Sequence, residues 1–151
     1  MFKTPILFLT YKRPNETKKI LKVILKLKPK KLYIFQDGKK KNFSNNELKN
    51  HIKTTTLIKN AISNKKVKVI YFKKNLGQKI IGYKMMKYIF NYETECIVIE
   101  DDCFPRNSFF KYCSEMLKRY KNSKNIAHIS GCNLFYGVYK KKIEKSDIFF
   151  S

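Results

Sequence analysis

Five short apolar runs, spaced by stretches of helical periodicity, constrain this chain more than any other feature. They are residues 6–10 (ILFLT), 32–35 (LYIF), 67–72 (VKVIYF), 96–99 (CIVI) and 126–130 (IAHIS). Each is too short for a helix and rich in the β-branched and aromatic residues that suit a strand. Between the first two, Pro14 stands early in a helix, and Pro29 stops it. On that helix Lys18, Lys19, Lys22 and Lys26 share one face, and Ile20, Val23, Ile24 and Leu27 the other. A second helix lies within residues 43–63, where Ser44 and Glu47 fit a capping box. A third starts at Asn75-Leu76-Gly77 and runs to about residue 92, and a fourth spans 108–120. Strand alternating with helix predicts an α/β fold with a mostly parallel sheet, right-handed crossovers and helices on both faces. No internal repeat or linker interrupts the pattern, so residues 1–151 read as a single domain.

In such sheets ligands bind outside the carboxyl ends of the strands. The segments that follow the strands are therefore the informative ones. They are Thr10-Tyr11-Lys12-Arg13, Gln36-Asp37-Gly38, residues 73–79 and Glu100-Asp101-Asp102. Four polar segments are expected to converge on one rim.

The acidic triplet is unusual in this composition. The chain holds 11 Asp and Glu against 34 Lys and Arg, a formal net charge of +23. Adjacent carboxylates raise one another's pKa unless a cation compensates. A hard divalent ion such as Mn²⁺ or Mg²⁺ does so with oxygen ligands, often one or two carboxylates plus substrate phosphates. The alternative is a solvated acidic turn, or a set of caps for the helix that follows. Placement directly after an apolar strand favours the metal–diphosphate reading. Gly77 and Lys79 open a helix whose free N–H groups suit an anion, though an ordinary strand-to-helix turn has the same residues. Asp37 is placed to accept hydrogen bonds from a ribose or base, and Asp-Gly is equally a good turn. Neither GxGxxG nor GxxxxGK[ST] occurs.

The basic excess is almost wholly lysine, with Arg only at positions 13, 106 and 119. That mixture fits a compositional bias spread over solvated surface better than a selected phosphate patch, which favours bidentate Arg. The cysteines form no CxxC pair and the two histidines stand alone, which argues against structural zinc and a disulfide framework. No apolar run approaches a membrane span, and the first apolar segment reads as a strand rather than a signal peptide. The expected compartment is the cytoplasm. The lysine face of the first helix reads foremost as the solvated side of a crossover helix, with peripheral contact at the inner face of an anionic membrane as the alternative.

In order, PILFLTYKRP, IFQDGKK, NLGQKIIGYKMMKYIF, IVIEDDCFPRNSFFKYCSEML and IAHISGCNLF resemble the nucleotide-binding half of a Rossmann-like GT-A glycosyltransferase. The likeness is to bacterial nucleotide-diphospho-sugar transferases related to the N-acetylglucosaminyltransferase I family, and covers residues 5–135. The triplet stands where that family carries an E-D-D version of its D-x-D metal motif. The resemblance implies that Asp102 coordinates Mn²⁺ or Mg²⁺, while Glu100 and Asp101 hold the ribose, the sugar or the metal's waters. It further implies that Thr10 and Arg13 sit against the nucleotide, that Asp37 contacts base or ribose, and that Gly77 and Lys79 lie near the diphosphate. The implied reaction is transfer of a sugar, from a UDP-sugar foremost, to a glycan or lipid-linked acceptor hydroxyl in surface glycan synthesis.

The family's acceptor half and catalytic base lie beyond the matched region, so the chain is expected to be C-terminally incomplete. No base is identified. Glu16, Glu47, Glu93, Glu95 and Glu115 are read as falling on helices or away from the rim, and Glu144 and Asp147 as lying in the tail. Phe149-Phe150 would leave an apolar edge suited to self-association. Two other functions compete: a nucleotide-sugar-binding module without transferase activity, and a basic protein that binds nucleic acid or membrane. Nucleic acid is the poorer partner, because the acidic triplet would repel a phosphate backbone.

Overall fold

The computed structural model describes residues 1–62 and 67–131. Two compact units divide it, Met1–Arg106 and a second beginning at Asn107. The first carries four parallel strands, β1 (Ile6–Thr10), β2 (Leu32–Gln36), β3 (Val67–Tyr71) and β4 (Ile97–Glu100), in the spatial order β3-β2-β1-β4. They are joined by α1 (Pro14–Lys26), α2 (Asn45–Ala61) and α3 (Gly77–Ile89). The architecture is α/β, with an all-parallel, Rossmann-like sheet flanked by helices.

Burial follows strand position. The central strands β1 and β2 are apolar along their length because both faces are covered. Leu7, Tyr33 and Phe35 pack with Ile81, Met85 and Ile89 of α3. Alternation sends Ile6, Phe8 and Ile34 to the opposite face, where α1 and α2 lie side by side. The lysine face of α1 is exposed as expected, and Ile20, Leu21 and Ile24 are buried. The edge strand β4 alternates, with Ile97 and Ile99 buried and Val98 exposed. Ser44 and Glu47 form the expected capping box at the start of α2.

The second unit contains α4 (Asn107–Arg119), whose Phe110 and Met116 are buried. Residues 126–130 form no strand, contrary to the expectation from IAHIS, and none of them is buried. A strand exists only where a neighbour completes its ladder, and a five-residue apolar run says nothing about a neighbour. The expectations for Glu144, Asp147 and Phe149-Phe150 lie outside the described residues. Among the described residues, no helix is long and apolar enough to cross a membrane.

Candidate functional site at the strand ends

The order β3-β2-β1-β4 fixes which strand ends are neighbours. The chain steps outward from β1 to β2 to β3 and then returns to the far side of β1. The carboxyl ends of β1 and β4 therefore lie side by side, the kind of position at which open parallel sheets bind ligands. Arg13 lies just after β1, and the acidic triplet ends and follows β4.

The triplet is divided by function. Asp101 turns inward and is 4% exposed. Its Oδ2 accepts the backbone N–H of Tyr11 at 2.9 Å, and its Oδ1 accepts Arg13 Nη1 at 2.5 Å. Burial raises the Asp101 pKa above the ordinary aspartate value, although the Tyr11 N–H and the Arg13 guanidinium oppose the rise. Asp102 turns outward, half exposed, with Arg13 Nη1 at 3.4 Å. Glu100, at the end of β4, is pushed up first by burial and then by Asp102 and Asp101, with Arg13 the one opposing charge. One guanidinium thus serves three carboxylates. Its own pKa rises in response, chiefly through the bond to Asp101.

Among the described residues, no cluster of three or more His, Cys, Asp or Glu is placed to hold a metal by itself. The triplet can supply one or two carboxylates, Asp102 foremost. That is the share a Mg²⁺ or Mn²⁺ commonly takes from protein when substrate phosphates and waters complete its shell.

A second cluster joins the ends of β2 and β3. Asp37, 6% exposed, accepts the Gly38 N–H at 2.8 Å and the Leu76 N–H at 2.9 Å through Oδ1. Through Oδ2 it accepts Asn75 Nδ2 at 2.8 Å and the Gly77 N–H at 3.1 Å. Four donors fill the roughly four acceptor positions of a carboxylate. The anion at the start of α3 is therefore part of the chain itself. Gly77 has φ +76°, and a Cβ there would meet nothing within 4 Å, so the backbone conformation is what calls for glycine. Lys79 is exposed in the first turn of α3. The carbonyl of Asp37 lies 2.8 Å from His51 Nε2.

The other expected site residues are placed as follows. Thr10 is fully buried, and its hydroxyl donates to the carbonyl of Phe35 at 3.2 Å, so it supports the rim from beneath. Glu16 and Glu47 are not remote from the rim, because α1 and α2 begin where β1 and β2 end. Both lie in first helical turns; Glu16 bears electrostatically on Arg13, and Glu47 is paired with Lys12. Glu93 lies past the end of α3 and pairs with Lys31 and the Tyr33 hydroxyl. Cys96 and Cys113 are free, and burial pushes their thiols up to about 11, the range of unreactive thiols. Sequence reasoning missed the Tyr11 N–H, Asn75 and His51 as partners of the two aspartates. Asn75 carried a signal, an amide side chain just before a helix.

Comparison of the chain with protein-family models, curated proteins and solved structures gives no match. The class is therefore defined by architecture alone, as an α/β domain with an all-parallel, Rossmann-like sheet flanked by helices.

Proposed function

We propose that this chain is the donor-binding domain of a metal-dependent glycosyltransferase with the GT-A fold. In this reading it binds a nucleotide-diphospho-sugar, a UDP-sugar foremost, with Mn²⁺ or Mg²⁺ beyond β1 and β4. The sugar passes to an acceptor hydroxyl on a glycan or lipid-linked carrier in surface glycan synthesis. The observation that carries the reading is the split within the triplet. Asp101 is consumed in holding the Tyr11–Arg13 turn, while Asp102 is left facing solvent past the end of β4 with Glu100 beside it. Two carboxylates with a single shared guanidinium leave negative charge uncompensated, and a divalent ion bridging to a diphosphate would neutralise it. A bound metal of this kind supplies charge stabilisation to a departing diphosphate. The residues' own share is orientation: Arg13 fixes Asp101, and Asp101 fixes the turn after β1.

Calorimetric titration with UDP, GDP and CMP, each with and without Mn²⁺, tests this. We expect Mn²⁺-dependent binding of one nucleotide, lost in Asp102→Asn. No metal-dependent binding of any of the three would overturn the reading. A nucleotide-sugar-binding module without turnover is the second reading. Among the described acids of the first unit outside the triplet, Glu47 and Glu93 are already engaged by cations. Tight donor binding with neither hydrolysis nor transfer would select it.

A further inference from the structure

Five lysines surround one cleft away from the acidic triplet. Lys39, Lys40 and Lys41 follow β2, and Lys73 and Lys74 follow β3. Together with Asn42, Phe43, Leu48 and Asn75 they line a concavity of 640 Å³. No carboxylate lines it, and none of the five makes an ion pair among the described residues. Two acids on the neighbouring segments are committed elsewhere: Asp37 to its four N–H donors, and Glu47 to Lys12 and Ser44.

The two lysine-bearing loops are fixed against each other. A Cβ on Gly38 would lie 2.4 Å from the backbone carbon of Lys74, so the chains touch there without side chains between them. Asn75 Nδ2 also donates to the Gly38 carbonyl at 3.2 Å, and Asp37 ties both loops to the start of α3. A general excess of lysine spreads like charges apart. Here the backbone holds five of them around one concave wall, where a positive potential is focused.

We propose that this cleft is a metal-independent binding site for a condensed phosphate group, a diphosphate or longer. A single phosphate carries about two negative charges, too few to balance five lysines. The concave wall suits a compact oligoanion, whereas duplex or extended nucleic acid would need a continuous basic groove. The site lies beyond β2 and β3, apart from the metal–diphosphate site proposed beyond β1 and β4, and does not depend on that reading.

The test is calorimetric titration of the full chain with tripolyphosphate, pyrophosphate and orthophosphate in EDTA, which removes any contribution from a metal. Two variants of equal charge are compared, Lys40→Gln/Lys41→Gln/Lys73→Gln in the cleft and Lys18→Gln/Lys19→Gln/Lys22→Gln on the exposed face of α1. We expect saturable binding with affinity rising from orthophosphate to tripolyphosphate, and a loss of about tenfold or more in the cleft variant only. All six lysines are exposed, so both variants should fold, and circular dichroism would verify it. Equal weakening in both variants would reduce the effect to overall charge and overturn the proposal. So would non-saturable binding, or a single-stranded oligonucleotide that binds the cleft more tightly than tripolyphosphate. Manganese-dependent nucleotide binding would be unaffected by either result, which keeps this test separate from that of the site proposed beyond β1 and β4.

Discussion

The carboxylate of Asp37 accepts the N–H of Gly77 at 3.1 Å across 40 residues of sequence. With the Leu76 N–H and the Asn75 amide, this contact brings a side chain from the end of β2 to the N-terminus of α3. Leu76, at the N-cap, has no side chain able to do the same. Asp37→Asn keeps the shape but turns an N–H₂ group toward N–H donors. We expect a loss of about 2–4 kcal/mol in unfolding free energy, because charge-assisted bonds to a buried carboxylate are lost and donors are left unsatisfied. Urea denaturation measures it.

The glycines near this contact should respond unequally. At Gly38 an added methyl meets the Lys74 backbone, which cannot move alone, so Gly38→Ala should cost about 1–3 kcal/mol. At Gly77 space is open and only the positive φ opposes a side chain, so Gly77→Ala should cost about 1 kcal/mol. Melting the two variants side by side checks the order. A larger loss at Gly77 would place the tight approach at the wrong glycine.

Arg13 ties the turn after β1 to the acidic triplet through Asp101. Arg13→Ala leaves a buried carboxylate with one remaining donor, the Tyr11 N–H. The guanidinium is half exposed, and water can partly replace it. The expected loss is therefore about 1–3 kcal/mol rather than the larger penalty of a sealed ion pair. Arg13→Lys should recover part of it, since an ammonium supplies charge without the planar fork.

Glu47 gives a stability dependence at acid pH. Its pKa is lowered from 4.5 to about 2, chiefly by Lys12 and then by the Ser44 N–H and hydroxyl. The ionised form is favoured in the fold. Its contribution is complete above the ordinary glutamate range and is lost as pH falls through about 2. The stability difference between the parent and Glu47→Gln should be constant near neutrality and shrink on acidification. A difference that grows toward low pH would contradict the ion pair.

Glu100 has the opposite sign. Burial and its acidic neighbours raise its pKa, so ionisation opposes folding, and stability falls as pH rises through its titration. Glu100→Gln should raise stability at pH 7 by an amount on the order of 0.5 kcal/mol, small because the group is only partly buried. The gain should vanish where Glu100 is already protonated. A loss of Mn²⁺-dependent nucleotide binding in the same variant would tie the unfavourable charge to function.

Much of this fold was legible in the chain. The apolar runs at 6–10 and 32–35 read as buried strands, the lysine stripe from Lys18 to Lys26 read as the outer face of α1, and Ser44 with Glu47 read as a cap. These signals are local, because a strand alternates every two residues and a helix repeats every 3.6, whatever lies around them. Convergence of the four polar segments on one rim also followed from strand-helix alternation alone. What the sequence could not show was the partner of each polar group. Asp37 was read as contacting a base or ribose or equally as part of a turn, and the resemblance implied a ligand contact for Asp101. The tertiary structure turns Asp37 onto the start of α3 and Asp101 onto the turn after β1, and leaves Asp102 outside. The same limit applies to residues 126–130, an apolar run with no strand. Periodicity is encoded in neighbours along the chain, but a hydrogen-bond partner 40 or 90 residues away is chosen only when the sheet brings the loops together.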